Sequence, residues 1–171
     1  LETRPTRETV ARYLRRDIEI LRQLAAIIDQ LHARDVVWGD ISFNNILVHP
    51  DTLDVKIIDL ESAHIIGSGK RRRIFTPGFV DASTMSLAAP TIADDYYGFG
   101  AIMLHLLTHV NGIIGLKPKV WKEMMDEVSR DFGLPPEVGA VIEKLLDSDP
   151  ARRPRPSEAL VEAFGASERV G

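Results

Sequence analysis

The chain has 171 residues, a net charge of −4 and no cysteine, and 44% of its residues are hydrophobic while 27% are charged. This composition is typical of a globular unit that buries roughly 70% of its unfolded surface, and the negative charge argues against a nucleic-acid partner. The lack of cysteine excludes a disulfide scaffold and a thiolate zinc site, and it fits a cytoplasmic protein. The longest apolar run, 96–107, is too short to span a bilayer, so we expect no membrane association.

A long helix and a short hairpin are predicted in the first third of the chain. Apolar residues recur every three or four positions over 6–33, which predicts one amphipathic helix. Arg34 and Asp35 end this pattern. Two apolar strands are predicted at 46–48 and 55–58, and the Pro50-Asp51 pair between them favours a turn.

The rest of the chain is predicted to contain a long loop and four helices. Residues 62–90 show no clear period and hold several glycines and prolines, and long loops inside compact domains are usually functional or mobile. Helical periods return over 93–108, 118–129, 136–146 and 156–164. The first of these is apolar nearly all round, which is typical of a buried core helix. The predicted fold class is therefore mainly α with a small β hairpin.

Three polar residues lie where the predicted hairpin strands begin and end. Asp40 and Asn45 belong to the polar stretch before the first strand, and Asp59 ends the second strand. If the two strands are adjacent, these side chains lie at one end of the hairpin. Carboxylate and amide oxygens are hard ligands suited to Mg²⁺ and a nucleotide phosphate, and a remaining carboxylate can accept a proton from an attacking hydroxyl. The pattern predicts a phosphoryl-transfer site.

The spacing of these residues resembles the protein-kinase-like superfamily. Asp40 followed five residues later by Asn45 is similar to the kinase catalytic loop, and Asp59-Leu60-Glu61 stands where the metal-binding Asp-Phe-Gly triplet would. Three further segments match the family in the right order: Thr76-Pro77-Gly78-Phe79 resembles the end of an activation segment, 95–100 the start of the central C-lobe helix, and 149–154 the Asp-Pro-x-x-Arg-Pro signature. The resemblance covers nearly the whole chain.

The resemblance implies roles for the residues that would carry out the chemistry. Asp40 would accept or orient the proton of the acceptor hydroxyl, while Asn45 and Asp59 would bind Mg²⁺ and the phosphates of ATP. Ser42 stands at the catalytic position where the family has a lysine that steadies the γ-phosphate. The Thr76-Pro77-Gly78 stretch of the activation segment would shape the acceptor groove.

Two further residues are expected to be structural. Asp95 would brace the backbone of the catalytic loop from the central helix. Arg153 resembles the family's arginine that pairs with a glutamate closing the activation segment, but Ala82-Ser83 occupies the place where that glutamate is expected. The partner of Arg153 is therefore open at this point.

The resemblance implies that residues 1–171 are a single C-lobe of the kinase fold. Its parts would be the long helix at about 6–33, the catalytic loop and metal-binding strand end at 37–61, the activation segment at 62–90 and a helical subdomain at 93–164. No Gly-rich loop, no Val-Ala-x-Lys strand and no helix with a partner glutamate precede Asp40. We therefore expect the N-lobe to be missing from this chain, and these residues alone to bind ATP poorly.

Departures from ordinary protein kinases point to a subfamily. The Gly39-Asp40-x-Ser42-x-x-Asn45 loop, the Asp59-x-Glu61 strand end and the Thr-Pro-Gly-aromatic segment together resemble the kinase region of class III/IV lanthionine synthetases. In that family the kinase phosphorylates serine and threonine residues of a precursor peptide, and separate lyase and cyclase domains act afterwards. The expected partners are thus a peptide substrate, an N-lobe and lyase and cyclase domains of the same polypeptide.

Three functional hypotheses follow from these patterns. The first is an ATP-dependent Ser/Thr peptide kinase. The second is a catalytically inactive, pseudokinase-like scaffold that presents 62–90 to a peptide, because Gly39, Ser42 and Glu61 each depart from the usual kinase residue. The third is a small-molecule kinase of the aminoglycoside or choline type, in which Gly-Asp and Asp-x-Glu features also occur.

Overall fold

The computed structural model describes residues 7–69, 74–85, 89–108 and 118–165, and helices form most of this part of the chain. Parts of the predicted activation segment, 70–73 and 86–88, lie outside the described residues. The helices are α1 (Arg7–His32), α2 (Ile92–Thr108), α3 (Pro118–Phe132), α4 (Pro136–Leu145) and α5 (Pro156–Phe164). The mainly α fold class with a small hairpin is confirmed.

Four short strands pair in two antiparallel ladders within the described ranges. The predicted hairpin is formed by β2 (Ile46–Val48) and β3 (Val55–Ile57), with Ile46 opposite Ile57 and Val48 opposite Val55. The second ladder joins β1 (Val36–Val37) to β4 (His64–Ile65). The prediction that 62–90 is loop throughout is therefore wrong at β4, because a two-residue strand is too short to show a period and owes its conformation to pairing with β1.

The core lies between α1, α2 and α4. Leu24 and Ile28 of α1, Phe99 of α2 and Ile142 of α4 have no exposed surface. A close approach brings the catalytic-loop region onto α2, because a Cβ built on Gly98 would lie 2.8 Å from the Cβ of Ile41. Glycine at this position thus lets the loop that carries Asp40 rest directly on the central helix.

None of the helices in the described part of the chain is both long enough and apolar enough to cross a bilayer.

Candidate active site

A carboxylate of α2 holds the backbone of the loop that precedes Asp40. Asp95 is 1% exposed, and its Oδ2 and Oδ1 accept hydrogen bonds from the backbone N–H groups of Trp38 (2.9 Å) and Gly39 (2.8 Å). The same Oδ2 lies 2.8 Å from Nε2 of His32, the last residue of α1. Three separate parts of the chain, namely α1, α2 and the loop that precedes Asp40, therefore meet at one buried side chain.

Asp40 and Asn45 are joined by the turn that separates them. Residues Phe43–Asn45 form one turn of 3-10 helix, and Asn45 N donates to Ser42 O. The Nδ2 of Asn45 then donates to both the backbone oxygen (2.9 Å) and Oδ2 (3.0 Å) of Asp40. With its nitrogen turned to Asp40, the amide presents its oxygen in another direction, as a metal ligand would.

Asp59 stands just past the end of β3, at the open end of the hairpin. The N–H of Ile58 donates to Asn45 O at 2.9 Å, so the strand ends that carry Asn45 and Asp59 are neighbours. Asp59 is exposed, has a positive φ of 56°, and accepts a hydrogen bond on Oδ1 from Glu61 N at 3.3 Å. The structure thus brings Asp40, Asn45 and Asp59 to one end of the hairpin.

The donors present fit a magnesium ion bound together with a nucleotide. Mg²⁺ takes hard oxygen ligands, and in phosphoryl-transfer sites it is held by one or two carboxylates together with water and substrate phosphates. The described residues contain no group of three His, Cys, Asp or Glu side chains that could hold a metal alone. One amide oxygen from Asn45 and one exposed carboxylate from Asp59 therefore suit a Mg²⁺ ion whose remaining ligands are water and nucleotide phosphates.

The segment that contains Thr76 closes the other side of Asp40. Thr76 N donates to Asp40 Oδ1 at 2.8 Å, and Phe79 N donates to Thr76 O at 3.1 Å across a tight turn. Pro77 and Gly78 occupy the centre of this turn, and Gly78 has a φ of 91°. Proline followed by a residue with positive φ is the signature of a type II turn, in which glycine is preferred at the second central position. Each carboxylate oxygen of Asp40 therefore has one donor, from Asn45 or from Thr76.

Ser42 lies inside the protein and away from solvent. Its exposed fraction is 0%, and its hydroxyl has no hydrogen-bond partner among the residues that the structure describes. In this conformation the side chain cannot contact a phosphate directly. The catalytic assignment of Ser42 stays a prediction.

Arg153 pairs with Asp81, which the sequence did not identify as its partner. The side chain of Arg153 is 0% exposed; it forms an ion pair with Asp81, and its Nη1 donates to Ala93 O at 2.9 Å. Its guanidinium carbon also lies 5.0 Å from the ring centroid of Tyr97. Burial raises the pKa of the Tyr97 hydroxyl, the Asp81 carboxylate raises it further, and the Arg153 guanidinium acts in the opposite direction.

Other residues around the site were missed by sequence reasoning. Thr84 and Asp94 are buried and hydrogen-bonded to each other at 2.6 Å, which ties the end of the activation segment to α2. Leu47 is 54% exposed on the outward face of β2, and Ile58, the residue after β3, is 39% exposed. The alternation of side chains along β2 could have identified Leu47, because Ile46 and Val48 are the inward neighbours.

Comparison with known proteins identifies the family. The chain matches the family described as "Protein kinase domain" over residues 7–164. It is 24% identical over 135 residues to a "Probable SapB synthase" of Streptomyces coelicolor, which covers 77% of this chain and 14% of that protein. It is 26% identical over 155 residues to serine/threonine-protein kinase PLK1 of Xenopus laevis, covering 86% of this chain and 25% of that protein.

A third relative extends the same pattern. The chain is 25% identical over 131 residues to the cGMP-dependent protein kinase, isozyme 2 forms cD5/T2, of Drosophila melanogaster, covering 73% of this chain and 14% of that protein. The matches to these three relatives span 14% to 25% of their lengths. Because the family match extends over most of the chain, the chain belongs to the protein kinase domain family.

Proposed function

We propose that this chain is the C-lobe of a kinase that transfers the γ-phosphoryl group of Mg-ATP to serine or threonine hydroxyls of a peptide. One observation supports this most strongly: the Asp40 carboxylate is held on one oxygen by the Asn45 amide and on the other by the Thr76 amide. The carboxylate remains half-exposed, so an acceptor hydroxyl can reach it. General-base assistance of this kind contributes about 10² to 10⁴ in rate.

The neighbouring residues supply the other requirements of phosphoryl transfer. Asn45 and Asp59 would hold Mg²⁺, which neutralises charge on the transferring phosphate when it is bound. The exposed apolar side chains of Leu47 and Ile58 would support the nucleotide base, since Leu47 lies two residues after Asn45 and the N–H of Ile58 donates to Asn45 O. The Thr76-Pro77-Gly78 turn would border the acceptor, because it begins at a residue bonded to Asp40.

The acceptor and the larger polypeptide follow from the relatives. One relative is named a serine/threonine-protein kinase and another a cGMP-dependent protein kinase. These names support a hydroxyl-bearing protein or peptide as the acceptor. The SapB synthase match and the Gly-Asp-x-Ser loop support a kinase part of a lanthionine synthetase. We expect an N-lobe, and lyase and cyclase domains, as partners in the same polypeptide.

A binding scaffold without catalysis is the second candidate. The fully buried Ser42 favours it, because this side chain is not accessible to a nucleotide phosphate in the structure. The retained Asp40, Asn45 and Asp59 favour catalysis, since a scaffold has no chemical need for a base beside two metal ligands. A small-molecule kinase would differ from the peptide kinase in the acceptor that it phosphorylates, and from the scaffold in being catalytic.

Transfer assays on the natural polypeptide that contains this chain separate the three functions. With Mg-ATP, we expect phosphate on Ser/Thr peptides and not on an aminoglycoside or choline. We expect Asp59→Ala to lower the rate by at least about 10²-fold through loss of a metal ligand, while Asp51→Ala, at the other end of the hairpin, stays at the wild-type rate. Nucleotide binding without transfer would establish the scaffold, and wild-type turnover by Asp59→Ala would rule out its role as a metal ligand.

A further inference from the structure

The turn at Thr76–Phe79 touches the catalytic loop at both of its ends. At the first end, Thr76 N donates to Asp40 Oδ1 at 2.8 Å. At the other end, the Phe79 ring meets the Phe43 ring nearly edge-on, with centroids 5.1 Å apart and planes at 87°. Phe43 follows Asp40 by three residues, so one rigid turn spans two points of the same loop.

The aromatic contact is continued into the central helix. The Phe43 ring also packs on His105 of α2, with centroids 4.2 Å apart. Phe79 is 8% exposed, which is a low value for a residue in an irregular segment. Edge-to-face aromatic pairs contribute about 0.5 to 1.5 kcal/mol beyond the area that they bury. The turn therefore packs on Phe43, which in turn packs on α2. Two residues after Phe79, the ion pair of Asp81 with Arg153 holds the chain in place.

We propose that Phe79 is a positioning residue for the candidate base. The Phe79 ring packs against Phe43 and thereby fixes the distance between the turn and the catalytic loop. The position of the turn then determines where the Thr76 amide lies relative to Asp40. In this role Phe79 acts on Asp40 through the turn and is not itself a catalytic residue. This inference rests on the proposed phosphoryl transfer only for its kinetic consequence; the structural claim is separate from it.

The geometry of the turn makes the coupling rigid. The N–H of Phe79 donates a hydrogen bond to Thr76 O at 3.1 Å, and the left-handed conformation of Gly78 is the one that a type II turn requires. A shift of the Phe79 ring is therefore passed to the Thr76 amide instead of being absorbed between them. Misplacement of a reacting group by about 1 Å can cost about 10²-fold in rate.

Hydrogen exchange and kinetics on the natural polypeptide test the proposal together. Phe79→Leu keeps an apolar side chain but removes the ring, and Gly78→Ala disturbs the turn without touching either ring. Phe164→Leu is the control, because Phe164 is a half-buried phenylalanine that also packs on the core but lies at the end of α5. We expect the Thr76 amide to lose protection from exchange in both test variants and to keep it in the control.

The kinetic readout separates positioning from simple destabilisation. In Phe79→Leu and Gly78→Ala we expect kcat on Ser/Thr peptides to fall by about 10- to 100-fold while KM for ATP is unchanged. The control should keep the wild-type kcat even if its melting temperature falls. Unchanged protection of Thr76 in Phe79→Leu, or an equal loss of kcat in the control, would overturn the proposal. If the wild type transfers no phosphate, the proposed function fails, and the exchange measurement still decides the role of Phe79.

Discussion

Asp94 and Asp95 are consecutive in the first turn of α2, and both are buried, but they hold opposite sides of the site. Asp95 reaches back 56 to 63 positions to the catalytic loop and to His32. Asp94 binds nearby groups: Thr84, ten positions away, and the N–H and hydroxyl of Thr91, three positions away. Asp95 thus forms contacts between residues that are distant in the chain, while Asp94 forms contacts between residues that are near in the chain.

The difference indicates how the site is divided into two parts. The catalytic loop depends on a tertiary contact that exists only when α1 and α2 have packed. The end of the activation segment depends on groups close by in the chain, with an additional ion pair from Arg153 to Asp81. We therefore expect mutations that affect the catalytic loop to lower the stability of the whole fold. Mutations at the end of the activation segment should have a more local effect.

The largest effect is expected at Asp95. Asp95→Ala removes the acceptor for the Trp38 and Gly39 amides and leaves these donors without a partner in the interior. An orphaned buried donor costs about 1 to 3 kcal/mol, so we expect the free energy of unfolding to fall by about 3 to 5 kcal/mol. Urea titration followed by circular dichroism measures it. Asp126→Ala, at an exposed position of α3, is the control and should change stability by less than about 0.5 kcal/mol. A loss at Asp95 no larger than that of the control would contradict the long-range anchor.

A smaller effect is expected on the segment side, at Thr84. Thr84→Val keeps the shape of the side chain but removes the hydroxyl that donates to Asp94 at 2.6 Å. Loss of one hydrogen bond to a charged acceptor costs about 1.5 to 3 kcal/mol, and Asp94 retains its bonds from Thr91. We expect a loss of about 2 kcal/mol and faster hydrogen exchange confined to the segment around 81–85. Ser83→Ala, at an exposed neighbouring position, serves as the control. Exchange that quickens throughout α1 as well would show that the two sides are not separate.

The smallest effect is expected from Tyr97 at alkaline pH. Because burial and the Asp81 charge raise the pKa of Tyr97 in the folded state, the unfolded chain loses this proton first as pH rises through about 10. The unfolded state then binds fewer protons, so this residue makes stability fall as pH increases above about 10 and has no effect below it. Urea midpoints at pH 9 and pH 11 should differ less in Tyr97→Phe than in the wild type. An equal difference in both proteins would place the alkaline loss elsewhere.

The helices and the hairpin could be predicted because their signals are local. The helix predicted at 6–33 is α1, Arg7–His32, and the strands predicted at 46–48 and 55–58 are β2 and β3. Apolar side chains at helical or alternating spacing face one core, so their period is present in the sequence before any tertiary contact forms. The helix predicted at 118–129 continues to Phe132, since periodicity locates a helix better than it locates its last residue.

Other features of the site could not be predicted because they depend on where distant residues meet. The sequence left the partner of Arg153 open, and Asp81 became identifiable only once the activation segment lay against α2. The sequence shows that serine stands where the family has a lysine, but the complete burial of Ser42 depends on the residues that pack around it. The β1–β4 ladder likewise depends on contacts between residues almost thirty positions apart, as in the pairing of Val36 with Ile65.

By itself, the sequence determined the mainly α class, the order of the elements, and the spacing of Asp40, Asn45 and Asp59 that indicates a kinase. It could do so because period and spacing are properties of neighbouring residues in the chain. Only the tertiary structure decided that Asp40 is held between Asn45 and Thr76, that Asp81 binds Arg153, and that Phe79 meets Phe43. Apart from the contact of Asp40 with Asn45, five positions away, these contacts join segments that lie far apart along the chain, and their geometry is set when the helices pack.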